Sequence, residues 1–238
     1  MATPHVYSPR SRRTARLFRV LRGRFALLFF FLLASIVVYP YAENSGVGFY
    51  AFRIVGLAVI LLTVHAVAFS RGVLAVVIVL AIFSTLQHVI LPIHAGGIFP
   101  LIARSLSLVF DLLVITLIFV HVFQTDKPDS ETIFGALCVY VLLGFTFAGI
   151  YSTIYSVARD AFVLPASANL HIAPDRFDFI YYSFGTLTES GAPGITAVAP
   201  VARSVSLLEA ISGILYLAVL ISRLLSAYRT VEVTDPDI

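Results

Sequence analysis

The residues best suited to chemistry lie in one short stretch, Thr188-Glu189-Ser190-Gly191-Ala192-Pro193-Gly194. A carboxylate stands between two hydroxyls and leads straight into turn-forming residues. That arrangement suits the attraction of a cation better than the making or breaking of bonds. The chain has no His-Glu-x-x-His pair for zinc, no Gly-x-Ser-x-Gly nucleophile turn and no run of clustered metal ligands. Its single cysteine, Cys138, lies in an apolar run, which excludes a disulfide framework and a cysteine-based metal centre. No enzyme and no bound cofactor are expected. A second acid, Glu209, and a third, Asp111, interrupt otherwise apolar segments. Ionisable groups at such places are functional hypotheses by default.

Composition says what kind of scaffold must hold Glu189. The 238 residues are 59% hydrophobic and 12% charged, with a mean hydropathy of +0.97; a soluble domain carries about 25% charged residues. This excludes an ordinary soluble globule, a disordered chain and a nucleic-acid-binding domain, and leaves a polytopic membrane protein. A bilayer-crossing helix needs about 20 mostly apolar residues. Segments 25–42, 49–69, 73–91, 98–123, 132–158 and 202–226 meet that need, with Pro92 and Gly96-Gly97 dividing an overlong uncharged run. The expected organisation is a basic arm at 1–24, a four-helix membrane domain at 25–125, a second membrane domain at 131–229 and a short tail at 230–238. No soluble ligand-binding domain is expected.

Charge gives orientation. The net charge of +3 conceals an uneven distribution: residues 1–24 hold seven Arg and no acid, so the remainder is net negative by four. Placing the spans puts eleven Lys and Arg on one side, among them Arg71, Lys127, Arg223 and Arg229, and five on the other. The basic side faces the cytoplasm, which predicts a multi-pass protein of the cell membrane with both termini cytoplasmic. The arm interleaves Leu17, Phe18, Val20 and Leu21 among its arginines. It reads either as a surface helix on anionic membrane lipid or as a topology signal alone.

Residues 177–188 are apolar and aromatic but too short to cross. Pro174-Asp175 marks a helix start, with Asp175 as its cap, and Glu189–Gly194 is a turn-rich loop. A short helix, an irregular loop and a return to the same side describe a re-entrant segment. Irregular backbone at membrane depth is tolerated only where protein buries it or a water-filled cavity receives it. The alternative is an external loop with a hydrophobic patch.

Phe179 to Tyr228 resembles the pore module of potassium channels, and most closely the bacterial six-span channels with one pore loop per subunit. The matching pieces are Tyr182-Ser183-Phe184-Gly185-Thr186-Leu187-Thr188 at the pore-helix end, and Ile195-Thr196 with Pro200 after the filter. The stretches Ala202–Ala210 and Leu215–Arg223 match the inner helix. Residues 133–144 resemble the outer helix. The resemblance covers about residues 131–229; the first four spans match only in number and length. It implies an all-α integral membrane protein with six transmembrane helices plus a re-entrant pore helix and filter loop, assembled as a homotetramer. It also implies that Thr186, Thr188, Glu189, Ser190 and Gly191 line the filter, with Ala192, Pro193 and Gly194 completing the loop. A permeant cation (K+, Na+ or Ca2+) would pass there.

The filter departs from that family's Thr-Val-Gly-Tyr-Gly-Asp. Only Gly191 survives, and Pro193 takes the second glycine's place. Proline fixes φ near −65° and restricts Ala192 before it, so the potassium filter's row of carbonyls is not expected to form. Four copies of Glu189 would instead make a ring of acids, which selects cations. Like charges raise one another's pKa, so any current would depend on pH. Thr188-Glu189-Ser190 also loosely resembles the Leu-Glu-Ser filter of bacterial sodium channels. Two other placements of Glu189 remain: turned aside onto backbone behind the pore, or paired with Arg203.

Three further residues have double readings. Glu209 is set for helix packing or a hydroxyl partner more than for ion binding. Gly213 is either a hinge or a point of close helix approach. Asp111 is expected in a buried pair within the four-helix part, near Arg104 and His65. Counting by threes from Arg104 gives Ser107, Phe110, Leu113 and Thr116; that is no ladder of basic residues, so steep voltage gating is not expected. The reading is a tetrameric cation pore with weak K+ selectivity. The alternative is a channel-like membrane protein that does not conduct and serves a structural or regulatory role.

Overall fold

The computed structural model describes residues 23–42, 46–66, 75–82, 97–125, 129–163 and 176–234. The elements are α1 (Arg24–Ala42), α2 (Gly46–Ala66), α3 (75–82), α4 (Ile98–Gln124), α5 (Ser130–Val157), β1 (Phe162–Val163), α6 (Arg176–Leu187), β2 (Thr196–Ala197) and α7 (Pro200–Thr234). Helix dominates because long apolar runs satisfy every backbone group within the segment, as a bilayer requires.

Three helices are both long and apolar enough to cross a membrane: α4, α5 and the first part of α7, Pro200–Arg223. The apolar stretches within α1 and α2, Arg24–Tyr39 and Ile54–Ala66, are shorter. The chain is thus compatible with a multi-pass membrane protein. The expected span at 73–91 lies largely outside the described residues, as do the arm at 1–22, the end of the tail at 235–238 and the cap Asp175. α7 does not stop near 226; it continues as one helix to Thr234.

α5 is the hub. It packs against α1, α4, α6 and α7. Half of its most apolar window is buried, against 33% for α4 and 22% for α7. Its start is fixed by Asp129, whose carboxylate accepts from the Thr132 backbone N–H and from the Thr132 hydroxyl, both at 2.9 Å. This side-chain cap satisfies one of the donors that a helix start leaves open. The Thr132 amide also holds the Asp129 carboxyl below its usual pKa.

The helix ends locate one another. At the start of α1, the Phe25 N–H donates to Glu131 at 3.2 Å, Cys138 Sγ donates to Phe25 O at 3.3 Å, and the Phe25 ring sits 5.8 Å from that of His121. So α1 begins where α4 ends and α5 begins. At the opposite end Tyr39 stacks on Phe177, with ring centroids 5.6 Å apart. An aromatic cluster of Tyr151, Phe162, Phe179 and Tyr182 fills this end, its rings meeting mostly edge to face.

One feature departs from an all-helical expectation. β1 and β2 pair antiparallel, Phe162 opposite Ala197 and Val163 opposite Thr196. Two-residue strands have no periodicity to announce them. Their effect is topological: the chain leaves α5 and re-enters α7 at one point, so the whole intervening segment departs from and returns to a single place.

Candidate functional site

α6 has 12 residues and so rises about 18 Å, too short for a hydrocarbon core of about 30 Å. It starts in the aromatic cluster beside the β1–β2 pair. Its last carbonyl, on Leu187, accepts from Tyr140 Oη at 3.2 Å. Gly213 abuts the same carbonyl: a Cβ there would press on Leu187 O and lie 3.1 Å from Leu187 Cδ1. Tyr140 and Gly213 fall in the middle third of the apolar stretches of α5 and α7. The end of α6 is therefore level with the middle thirds of two helices long and apolar enough to cross a membrane. At Gly213 the glycine serves close approach, and α7 runs through it without a break.

The loop after α6 turns back on the helix. Thr188 N–H donates to Phe184 O at 3.0 Å, Glu189 N–H to Thr186 O at 3.1 Å and Gly191 N–H to Gly185 O at 2.9 Å. The last contact demands glycine at 185, since a Cβ would stand 2.5 Å from Gly191 O. Glu189 has φ 55°, the one left-handed non-glycine among the described residues, and Gly191 and Gly194 have φ 78° and 92°. Ile195 is buried and bonds back to Ala192 O at 3.1 Å, which ties the loop's far side to the body.

The side chains of the loop are turned outward. Thr188, Glu189, Ser190, Gly191, Pro193 and Gly194 are exposed, while Thr186 and Ala192 are half-buried. Thr186 donates to Tyr182 O at 2.9 Å. Thr188 donates to Phe184 O at 2.6 Å, and its oxygen lies 2.9 Å from Ser190 Oγ. A hydroxyl has one proton, so Ser190 is the donor in that pair. The Glu189 carboxylate makes no hydrogen bond and no ion pair among the described residues; Arg203, the partner offered by the sequence, is exposed and not bonded to it.

Behind α6 lies the second acid. Glu209 has no exposed surface. Tyr151 Oη donates to its Oε2 at 2.5 Å, Ser183 bonds its Oε1, and Ser183 Oγ also reaches Gly144 O at 2.7 Å. Tyr182 Oη meets Ser206 Oγ at 2.8 Å. The back of α6 is thereby pinned to α5 and α7, which leaves the loop at its end as the outward-facing part. Sequence reading singled out Glu209 but not Tyr151, Ser183 or Gly185. A buried acid calls for hydroxyl partners, which was the available signal; which hydroxyls, across 58 residues, was not.

Asp111 and Arg104 are half-buried in α4, and His65 is exposed on α2, so His65 does not join a buried pair. Among the described residues no group of three or more His, Cys, Asp and Glu is placed to hold a metal. Compared with family models, with curated proteins and with solved structures, the chain matches none. The potassium-channel resemblance of residues 131–229 rests on the residues quoted for it.

Proposed function

We propose that this chain is one subunit of a homotetrameric cation pore in the cell membrane, weakly selective for K+ and without steep voltage gating. The observation that carries the reading is Glu189: an exposed carboxylate on an irregular loop whose root, Leu187, is level with the middle of α5 and α7. Backbone of that kind at membrane depth needs a water-filled cavity or a protein cover, and a central pore shared by copies of the chain supplies both. The six-span, re-entrant arrangement belongs to this proposal. So do lipid-facing α1 to α4 and cytoplasmic termini.

The same loop argues for the kind of selectivity. Pro193 denies the loop a potassium-type row of carbonyls. The ligands on offer are side chains: Glu189, with Thr188 and Ser190 beside it, repeated around an axis. Such a ring suits a partly hydrated cation. A single copy offers too few ligands, since among the described residues no group of three or more His, Cys, Asp and Glu is placed to hold a cation.

The test is flux and bilayer recording on reconstituted protein, wild type against Glu189→Gln. Wild type is expected to pass cations over anions, and the variant to lose at least about tenfold of that preference, the scale on which a charged constriction concentrates counter-ions. A current with unchanged selectivity would remove Glu189 from the mechanism. No cation current in either protein would leave the non-conducting alternative.

A further inference from the structure

The oxygens behind α6 leave one proton unaccounted for. Ser183 Oγ lies 2.7 Å from Gly144 O on α5 and also contacts Glu209 Oε1 on α7. Both are hydrogen-bond contacts between two oxygens, and each needs a proton between its atoms. A carbonyl has none to give, so the first contact takes the one proton that Ser183 has. The proton in the second must then come from Glu209 itself. The other carboxyl oxygen, Oε2, accepts from Tyr151 Oη at 2.5 Å, which suits the carbonyl oxygen of a carboxylic acid.

The surroundings favour a neutral group. Glu209, Ser183 and Tyr151 have no exposed surface. On α5 the titratable neighbours are Tyr151 and, farther along, Tyr140, whose hydroxyl is given to Leu187 O. On α6 there is Tyr182, its ring 5.0 Å from that of Tyr151 and its hydroxyl engaged with Ser206 Oγ. Among the described residues no Lys, Arg or His and no second carboxylate reaches Glu209. A buried charge without a partner of opposite sign is costly.

We infer that Glu209 is a proton-binding site, held as a neutral acid, and that its proton decides which neighbour Ser183 grips. With the proton present, Glu209 donates to Ser183 and Ser183 donates to Gly144 O, so α6 is pinned to α5 and α7 together. Without it, the carboxylate takes the Ser183 proton. The Ser183–Gly144 contact then sets lone pair against lone pair, and that pin is released. Ser183 stands four residues before Leu187, the last residue of α6, and between them lies Gly185, whose carbonyl holds the returning loop through the Gly191 N–H. One proton thus governs how firmly the root of the Glu189 loop is held to α5. The switch does not depend on whether the chain conducts.

Infrared spectroscopy of the full chain in phosphatidylcholine vesicles reads the proton directly. Near neutral pH the wild type is expected to show a carboxylic-acid C=O band that Glu209→Gln lacks. Tyr151→Phe removes the bond to Oε2 and should keep that band but move it to higher frequency; it keeps the test open should Glu209→Gln fail to fold. Raising the pH should remove the band from wild type. Hydrogen exchange then reads the switch. Corrected for the base catalysis common to all amides, residues 183–191 of wild type should exchange about fivefold faster once the band is gone, the scale of one net hydrogen bond. Glu209→Gln should show no such rise. Carboxylate bands in place of the acid band near neutral pH would overturn the inference. So would an acid band that outlasts every pH at which the protein stays folded, or exchange that does not change when the band is lost.

Discussion

Glu189 holds a backbone conformation, φ 55°, that costs an L-residue roughly 1–2 kcal/mol. Glycine would be the ordinary occupant of such a helix-ending position. The expected outcome of Glu189→Gly is therefore twofold: a gain of about 1 kcal/mol in stability, read by thermal unfolding of the solubilised protein, and the loss of the carboxylate from the loop, read as lost cation preference. Gly185→Ala should do the reverse. Its Cβ meets Gly191 O, so the loop must shift at a cost of roughly 1–3 kcal/mol. Glu209 offers a finer test. The single proton of Ser183 cannot serve both Gly144 O and Glu209; a donor on residue 209 resolves the conflict, and glutamine supplies one. Glu209→Gln is expected to assemble and unfold much like wild type. Glu209→Ala strands the buried Tyr151 hydroxyl, while Ser183 keeps Gly144 O, and should cost roughly 1–3 kcal/mol for the group left unsatisfied.

At the level of elements, α5 depends on its first turn. Asp129→Ala removes the cap and should cost about 1 kcal/mol, read again by thermal unfolding. Acid should imitate it. The Asp129 carboxyl is held below its usual pKa by the Thr132 amide, so its contribution is intact above the unfolded value near 3.9 and lost as pH falls through the lower folded value. A stability profile should therefore fall at the acid end in wild type and fall less steeply in Asp129→Ala. The elements also divide what could be read from the chain in advance. Residues 177–188 declared a short apolar helix and a turn-rich loop, and the fold places α6 and its loop there, because turn chemistry and helix length are local properties. The β1–β2 pair was invisible, since two residues carry no period and the partner lies far along the chain. The hydroxyls around Glu209 were also out of reach, because helix packing decides which of many Ser and Tyr face a buried acid. Glu189 was legible as a residue, but its exposure was not.

At the scale of the whole molecule, α7 is too exposed to be complete by itself. Leu207, Leu208, Ile211, Ile214 and Leu215 all lie on open surface; lipid or further copies of the chain must cover them. The single cysteine, Cys138, is buried, so wild type is a quiet background for engineered thiols. Cysteine at Leu208 or Ile211 in membranes is expected to give oxidative cross-links and, with a bifunctional reagent, a ladder that ends at the tetramer. A cysteine at Val37, exposed on α1 and lipid-facing in the proposed tetramer, should give none. Sidedness is open to the same chemistry: an impermeant thiol reagent should reach a cysteine at Ala2 from the cytoplasmic face only, and one at Asp160 from the opposite face only. Labelling of both from one side would reject the proposed orientation.

α7 is 35 residues in a single helix, about 52 Å of rod, while the hydrocarbon core is about 30 Å thick. The excess lies beyond Arg223, where the guanidinium grips the end of α4. The rod is held at more than one height: at Arg223 by the end of α4, and nearer its start by Tyr216 on Ala136 O and by Glu209 on Tyr151 and Ser183. In the proposed pore such a rod would couple its two ends, for a push on the part near Thr234 would be carried through helix that also presses Gly213 on the carbonyl from which the Glu189 loop hangs.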